Sequence, residues 1–193
     1  TSIYKSNHWV QNGDLLPQKY VSVSGHGSNI NTNQHRQLTN NFTQVIKDYK
    51  INSLLDMPCG DFLWIKNIIK ENNINYLGID IVEELINENK RKYQTNNINF
   101  KSFDIVNFKT YEQFDLVLIR DLFIHIKNVE IIQIIENLKN MNIKYILLNS
   151  YDNEKNNDVV IGQHRKINLL IKPFNLKKPI HIFRDFENDK FCY

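Results

Sequence analysis

Apolar residues follow two different spacings along the 193-residue chain. Short continuous apolar runs such as LVLI and YILL are typical of strands buried on both faces, as in a parallel sheet. Between these runs, apolar residues recur three or four positions apart, which is typical of helices with one buried face. This alternation predicts a doubly wound α/β domain. The predicted strands are NSLLDM, NYLGIDI, INFKSFDI, FDLVLIRD and KYILLNS.

Helical spacing marks four segments. The first runs from Gln34 to Lys50, with Thr32 as its predicted cap. The second begins at Asp61, which is expected to cap it. The third, VEELINENKRKY, has acidic residues in its first turn and basic residues in its last, an order that suits the helix dipole. The fourth contains VEIIQIIENLKNM, and the later segments KPIHIF and KFCY predict a closing hairpin.

The periodic pattern does not extend over the whole chain. Residues 1–33 are rich in Ser, Gly and Asn and are predicted to form an N-terminal extension, whereas residues 34–193 suit one domain. No apolar run approaches the roughly 18 residues of a membrane span, and the first residues lack a signal-peptide pattern. Only two Cys occur, which disfavours a disulfide framework or a metal site and fits the reducing cytoplasm.

Charge and composition narrow the choice of partners. The net charge is +3 and the longest basic run is KRK, so charge alone does not call for a nucleic-acid partner. The sequence contains no Ala, and Asn makes up about one residue in seven. Both features are expected from AT-rich coding DNA, so we do not interpret runs of Asn as functional signals.

Polar residues cluster where the predicted strands end. In an open parallel sheet, ligands bind beyond the carboxyl ends of the strands, and a hydrophobic core needs no charged residue there. An acidic residue about 20 positions after the first strand can accept hydrogen bonds from ribose hydroxyls. The residues at the five predicted ends are Asp56 and Gly60, Asp80, Asp104, Arg120 and Asp121, and Asn149 and Ser150.

Four motifs bring a family resemblance into view. They are D-x-P-C-G-D-F-x-W at Asp56–Trp64, R-D-x-x-x-H at Arg120–His125, S-G-x-G-S at Ser24–Ser28 and N-L-x-x-x-P-F at Asn168–Phe174. Over residues 34–150 the chain resembles the class I S-adenosylmethionine-dependent methyltransferases, and a little-characterised group with these motifs in particular. The resemblance implies a Rossmann-like, mostly parallel seven-stranded sheet with a C-terminal antiparallel hairpin, and S-adenosyl-L-methionine as cofactor.

The loop after the first strand departs from the common pattern of that superfamily. Pro58 and Phe62 stand where D/E-x-G-x-G-x-G has its first and third glycines, and Gly60 keeps the second. A dinucleotide pyrophosphate needs bare backbone close by, whereas adenosylmethionine has no phosphate. We therefore rank methyl transfer above a nicotinamide-dependent dehydrogenase.

The resemblance implies a role for each residue of the cofactor site. Asp56 would reach the methionine ammonium, Gly60 would allow close backbone approach, and Asp80 would bind the ribose. Asp104 and Ile105 would flank the adenine. Alternatives remain for several positions, since Cys59 suits a small loop residue and Trp64 suits helix packing. The full predicted cofactor set is Asp56, Pro58, Cys59, Gly60, Asp61, Trp64, Asp80, Ile81, Asp104, Ile105 and Arg120.

The predicted catalytic residues follow the fourth strand. If that segment is helical, His125 and Asp121 share one face, where the carboxylate would orient the imidazole as a base for a hydroxyl. Arg120 would line the same site, although a purely structural histidine remains an alternative. The flexible segment Ser24, Gly25, His26 and Gly27 is predicted to act as a lid, and Arg165 to close the acceptor side.

These observations predict an S-adenosylmethionine-dependent methyltransferase acting on a small molecule, preferably at a sugar or sugar-nucleotide hydroxyl, and assign no residue to a metal. Two alternatives remain open. One is RNA methylation, which a salt-dependent affinity for RNA would support. The other is a cofactor-binding paralogue without activity.

Overall fold

A computed structural model describes Ser22, Ile30 and residues 32–160, 163–185 and 190–193. The chain forms a seven-stranded sheet in the order β3-β2-β1-β4-β5-β7-β6. The strands are β1 (Ser53–Asp56), β2 (Asn75–Asp80), β3 (Ile98–Ser102), β4 (Phe114–Ile119), β5 (Ile143–Tyr151), β6 (Phe183–Arg184) and β7 (Lys190–Cys192). The helices are α1 (Asn33–Asp48), α2 (Lys66–Glu71), α3 (Glu83–Tyr93) and α4 (Asn128–Lys139), with a 3-10 helix at Ile105–Asn107.

The sheet confirms the predicted architecture. Strands β1 to β5 pair in parallel, whereas β7 runs antiparallel to both β5 and β6. Strand order reverses at β1, which lies between β2 and β4. This switch point places the ends of β1, β2 and β4 beside one another, which is where a doubly wound sheet binds its ligand.

Alternate residues of each central strand pack into two separate cores. Leu54 and Leu116 face the core formed with α1, α2 and α3. Leu55 and Val117 face the core formed with α4 and the segment that contains Ile167. Both faces of the sheet are therefore covered, as the continuous apolar runs predict.

Helix α1 confirms its sequence prediction closely. The Thr32 side chain accepts a hydrogen bond from the His35 backbone N–H and so caps the helix. Its buried residues are Leu38, Phe42, Val45 and Ile46. No helix in the described ranges is long and apolar enough to cross a membrane.

One prediction about a helix was wrong, and the helical geometry on which the pairing of Asp121 with His125 depended is not present. The helix after β1 begins at Lys66 instead of Asp61, because Gly60 and Phe62 have positive φ angles of 54° and 61°, which a right-handed helix excludes. The segment after β4 forms turns instead of a helix, and α4 begins only at Asn128. Asp121, with a φ of 60°, breaks the backbone there for the same reason.

Candidate active site

The loop after β1 crosses the carboxyl end of β2. The Cys59 N–H donates to the Ile79 carbonyl at 2.9 Å, after Pro58 at a cis peptide bond. Gly78 permits this crossing, since a Cβ there would lie 2.9 Å from the Cys59 Cβ. Cys59 is buried, so it packs the loop against β2. The arrangement brings the Gly60 backbone to the end of β2.

Asp80 joins this loop to the end of β2. Its carboxylate accepts hydrogen bonds from the Gly60 N–H at 3.2 Å and the Val82 N–H at 3.0 Å. Burial raises the pKa of Asp80, and the backbone donors partly oppose that rise. Asn89 of α3 donates to the Gly60 carbonyl at 2.7 Å. The predicted glycine and the predicted ribose-binding carboxylate therefore lie in direct contact.

Asp56 is a buried carboxyl at the end of β1, with 2% of its surface exposed. Burial raises its pKa to about 7, against the opposing effects of a 2.7 Å hydrogen bond from the Tyr76 hydroxyl and the charge of Arg120. Sequence reasoning did not identify Tyr76 as part of this site. The sequence signal for Tyr76 is its position two residues before Gly78 on β2, which places the two residues on the same face of the strand.

Asp61 does not cap α2, contrary to the prediction. Its carboxylate accepts from the Leu63 N–H at 3.1 Å and from the Ser22 hydroxyl at 2.8 Å. The N-cap of α2 is Ile65, which makes no capping side-chain bond. Asp61 therefore holds a turn of the loop and contacts the N-terminal extension at Ser22. The predicted lid residues Ser24, Gly25, His26 and Gly27 lie outside the described residues.

Trp64 lies in the core, with 7% of its surface exposed. Its ring packs edge-on against Phe42 of α1, with centroids 5.7 Å apart. The guanidinium carbon of Arg120 lies 5.2 Å from the Trp64 ring centroid, within cation–π range. Trp64 thus connects the loop after β1 with the end of β4. Its buried position against α1 agrees with the alternative that this residue packs against a helix.

The predicted adenine-flanking residues lie beyond β2 and β3. Both Asp104 oxygens accept local hydrogen bonds, from the Val106 N–H at 3.0 Å and the Asn107 side chain at 2.6 Å. Ile105 is buried, whereas Ile81 is 59% exposed. An exposed isoleucine directly after Asp80 provides an apolar surface for a planar ring.

Arg120 is the centre of a buried charge network at the end of β4. Its guanidinium donates to both Asp185 oxygens at 3.2 Å. Lys190 Nζ lies 3.2 Å from the Asp185 carboxylate and 2.5 Å from the Asp121 carboxylate. Burial alone would lower the pKa of Arg120, but Asp121 and Asp185 outweigh it and raise that pKa above its usual range. Sequence reasoning missed Asp185 and Lys190, which β6 and β7 bring to the site from far along the chain.

Asp121 does not share a helix face with His125, because the segment is not helical. Asn149 of β5 accepts a hydrogen bond from the Asp121 backbone N–H at 2.8 Å. Burial opposes ionisation of Asp121, yet Arg120 and Lys190 outweigh it and lower the pKa of this carboxyl. The carboxylate is therefore held by two cations.

His125 lies beside the segment that carries His164. Its Nδ1 is 3.4 Å from the Gln163 carbonyl, and its ring centroid is 6.2 Å from that of His164. Burial lowers the pKa of His125, although the Gln163 carbonyl and Asp121 act in the opposite direction. The imidazole is therefore neutral at neutral pH, the state that can accept a proton.

Arg165 fastens the His125 loop to the segment after β5. Its Nη1 donates to the Phe123 carbonyl at 2.8 Å, its Nη2 to the Asn128 side chain at 2.7 Å and its Nε to the Asn157 carbonyl at 2.9 Å. Burial lowers the pKa of Arg165, as expected for a partly enclosed guanidinium. Through these bonds Arg165 holds the loop that carries His125 against the segment after β5.

A separate apolar groove lies away from the strand ends described above. This groove of about 530 Å³ opens beside β5 and is lined by residues such as Val45, Tyr145 and Ile180. It includes none of the predicted site residues. Within the described ranges, no group of three or more His, Cys, Asp or Glu side chains is arranged to hold a metal ion.

Comparison with known proteins agrees with the chemistry at the strand ends. Residues 54–142 match the family described as methyltransferase domain. No curated protein matches the sequence. The matched residues run from β1 to the end of α4, so they include the loops after β1, β2 and β4.

Solved methyltransferase structures share the fold of this chain at low sequence identity. The methyltransferase domain of bacterial CtHen1 is 13% identical, with a TM-score of 0.53 over 62% of this chain and 67% of that one. PH0226 protein from Pyrococcus horikoshii OT3 is 19% identical, with a TM-score of 0.51 over 64% and 61%. The N-methyltransferase NodS from Bradyrhizobium japonicum WM9 is 15% identical, with a TM-score of 0.51 over 62% and 70%.

The residues at the ends of β1 and β2 fit S-adenosylmethionine. Gly60 leaves the backbone bare, and Asp80 offers carboxylate oxygens at the end of β2. The buried Asp56 carboxyl suits an ammonium group, and the exposed Ile81 suits an adenine ring. These residues offer groups that suit the ammonium, the ribose and the adenine of S-adenosylmethionine.

Proposed function

We propose that this methyltransferase transfers a methyl group to a hydroxyl of a small molecule, such as a sugar or sugar nucleotide. The observation that carries the proposal is the contact between the Gly60 N–H and the Asp80 carboxylate at the switch point of the sheet. Neither core needs a carboxylate beside bare backbone at this position, whereas a nucleoside-containing cofactor can use that carboxylate to bind its ribose. The two Cys and the reducing environment they fit make the cytoplasm the expected location.

The cofactor side uses the loop after β1 and the end of β2. Asp56 binds the methionine ammonium, and Asp80 accepts from the ribose hydroxyls. Ile81 packs on the adenine, with Asp104 and Ile105 at its edge. S-adenosylmethionine supplies a methyl group already activated by its sulfonium. The chain therefore mainly has to align the acceptor with it.

The acceptor side uses the loop after β4. His125 is the proposed base, because its neutral imidazole can take the hydroxyl proton as that oxygen reacts. Asp121 is not its helical partner, so we assign Asp121 to the charge network that fixes the loop. Arg120 spans both sides through its contacts with Trp64 and Asp185.

The preference for a small acceptor rests on the charge of the protein. A net charge of +3 without a long basic run offers little attraction for a polyanion, which favours a small molecule over RNA. RNA methylation and a non-catalytic paralogue are the competing functions that an experiment must separate.

The test is an assay of methyl transfer to a panel of sugars and sugar nucleotides, with RNA as a parallel acceptor. We expect S-adenosylhomocysteine and an O-methylated sugar product that His125→Ala largely abolishes. Transfer only to RNA, with an affinity that falls as salt rises, would replace the sugar proposal. Cofactor binding without transfer to any acceptor would favour the paralogue.

A further inference from the structure

The buried Asp56 carboxyl depends on a second residue that the cofactor motif does not contain. Among the described residues, the Tyr76 hydroxyl is the side-chain donor to this carboxyl, at 2.7 Å. Both residues are at most 2% exposed. Burial and the neighbouring Asp56 raise the pKa of Tyr76 above its usual range, so its hydroxyl keeps the proton that it donates.

We propose that Tyr76 is a positioning residue for cofactor binding, whose hydroxyl orients the Asp56 carboxylate and favours its ionised form. The inference rests on the proposed role of Asp56 at the cofactor ammonium. A protonated Asp56 would lose its charge attraction for that cation. The hydrogen bond from Tyr76 therefore has two effects on Asp56, since it orients the carboxylate and favours its charged form.

The Tyr76 ring is fixed by close aromatic packing. Its centroid lies 4.7 Å from that of Phe62 and 5.7 Å from that of Phe100. Phe62 is fully buried although its φ is 61°, a costly conformation for a bulky residue that persists only with support from its surroundings. Phe62 stands at a position where the common loop pattern has a glycine. Its ring packs against Tyr76 and so helps to hold the Tyr76 hydroxyl at Asp56.

The other charges around Asp56 do not make this hydrogen bond redundant. From β4, Arg120 favours the ionised carboxyl, whereas Asp80 of β2 disfavours it. Cys59 of the loop has a pKa raised by burial, so it adds no charge at neutral pH. Burial therefore keeps the ionisation of Asp56 close to neutral pH, where the loss of one donor changes the charged fraction.

Tyr76→Phe tests the inference, since it removes the hydroxyl and keeps the ring. We expect its affinity for S-adenosylhomocysteine, measured by calorimetry, to fall by up to about tenfold near neutral pH for a shift of about one pKa unit. The loss should shrink as pH rises and Asp56 ionises in both proteins. Tyr93→Phe is the matched control, because Tyr93 packs on the same Phe62 ring with centroids 5.5 Å apart.

A second measurement needs no cofactor. Carboxyl NMR titration of Asp56 in the ligand-free protein should show a higher pKa in Tyr76→Phe and an unchanged pKa in Tyr93→Phe. In an Asp56→Asn background, Tyr76→Phe should alter the affinity little, because the two residues act as one unit. An affinity loss that is equal at every pH, or an unshifted Asp56 titration, would overturn the inference. Failure of the wild-type protein to bind S-adenosylhomocysteine would overturn the proposed function instead.

Discussion

The loop after β1 and the loop after β4 lie side by side at the switch point, yet they are held by different means. The first is tied by backbone and carboxyl hydrogen bonds between residues 20 positions apart, as between Tyr76 and Asp56. The second is held by charges from distant elements, since Arg120 and Asp185 are 65 positions apart. The proposed cofactor site is therefore held by contacts between neighbouring segments of the sequence, whereas the proposed acceptor site is assembled from distant segments.

Of the changes proposed for the two loops, removal of the Asp185 carboxylate should have the largest effect on stability. Asp185→Ala removes the fully buried one of the two carboxylates that Arg120 and Lys190 share, and leaves them only the partly exposed Asp121. We expect the free energy of unfolding to fall by about 3–5 kcal/mol, measured by urea denaturation. Asp158→Ala is the control, because the exposed Asp158 lies 3.9 Å from Arg165 in a surface ion pair. Equal stability of the two variants would mean that the charge network does not hold the second loop.

The first loop should instead show a stability that depends on pH. Asp56 has a pKa raised to about 7 from a model-compound value of 3.8, so the folded protein binds its proton more tightly than the unfolded chain. Stability from this group is therefore lost as pH rises from about 4 to about 7. Above that range, Asp56→Asn should be more stable than wild type by at most about 4 kcal/mol in denaturant titrations. The exposed Asp48→Asn should show no such gain, and parallel pH profiles for Asp56→Asn and wild type would refute the burial argument.

Cofactor affinity should respond to the first loop more than to the second. Asp80→Ala removes the proposed ribose acceptor, a loss of about 1.5–3 kcal/mol for a hydrogen bond to a charged group. Calorimetry and the rise in melting temperature with S-adenosylhomocysteine should both report it. His125→Ala should keep nearly wild-type affinity, and NAD should not bind. Unchanged affinity in Asp80→Ala would remove Asp80 from the cofactor site.

Turnover should respond to the second loop. His125→Ala should lower the rate at least tenfold, since general-base help is worth about 10²–10⁴-fold. Because burial lowers the pKa of His125, the wild-type rate should stay constant around neutral pH and fall only in more acidic solution. His181→Ala, which removes a histidine outside the site, is the control. A full rate in His125→Ala would place the base elsewhere or leave alignment alone to drive transfer.

The sequence predicted the sheet well because its signals are local. Strand periodicity and the acidic residues after β1 and β2 lie within short segments, so the contact between Gly60 and Asp80 follows from the fold. The start of α2 was missed because Phe62 has a positive φ. A glycine in the sequence would have suggested such a φ, whereas a phenylalanine does not. Residues discounted as abundant also matter, since Asn89 binds the Gly60 carbonyl.

The acceptor side was harder to predict because its contacts cross the chain. Nothing near the R-D-x-x-x-H motif indicates that Asp185 pairs with Arg120. Asn149 was recognised only as a polar strand end, but its side chain binds both the Asp121 N–H and the Asp185 carboxylate. Spacing alone could place His125 near Asp121, while the backbone turn at Asp121 decides their real relation.

The separation of 65 residues between Arg120 and Asp185 also has a consequence for biosynthesis. On the ribosome, the strands that carry Asp56 and Asp80 emerge together, so the cofactor half can form early. The Arg120 guanidinium emerges well before the carboxylate that neutralises it, and burial without that partner is costly. We therefore expect the β4 end to stay hydrated on the nascent chain until the segment that carries Asp185 has been made.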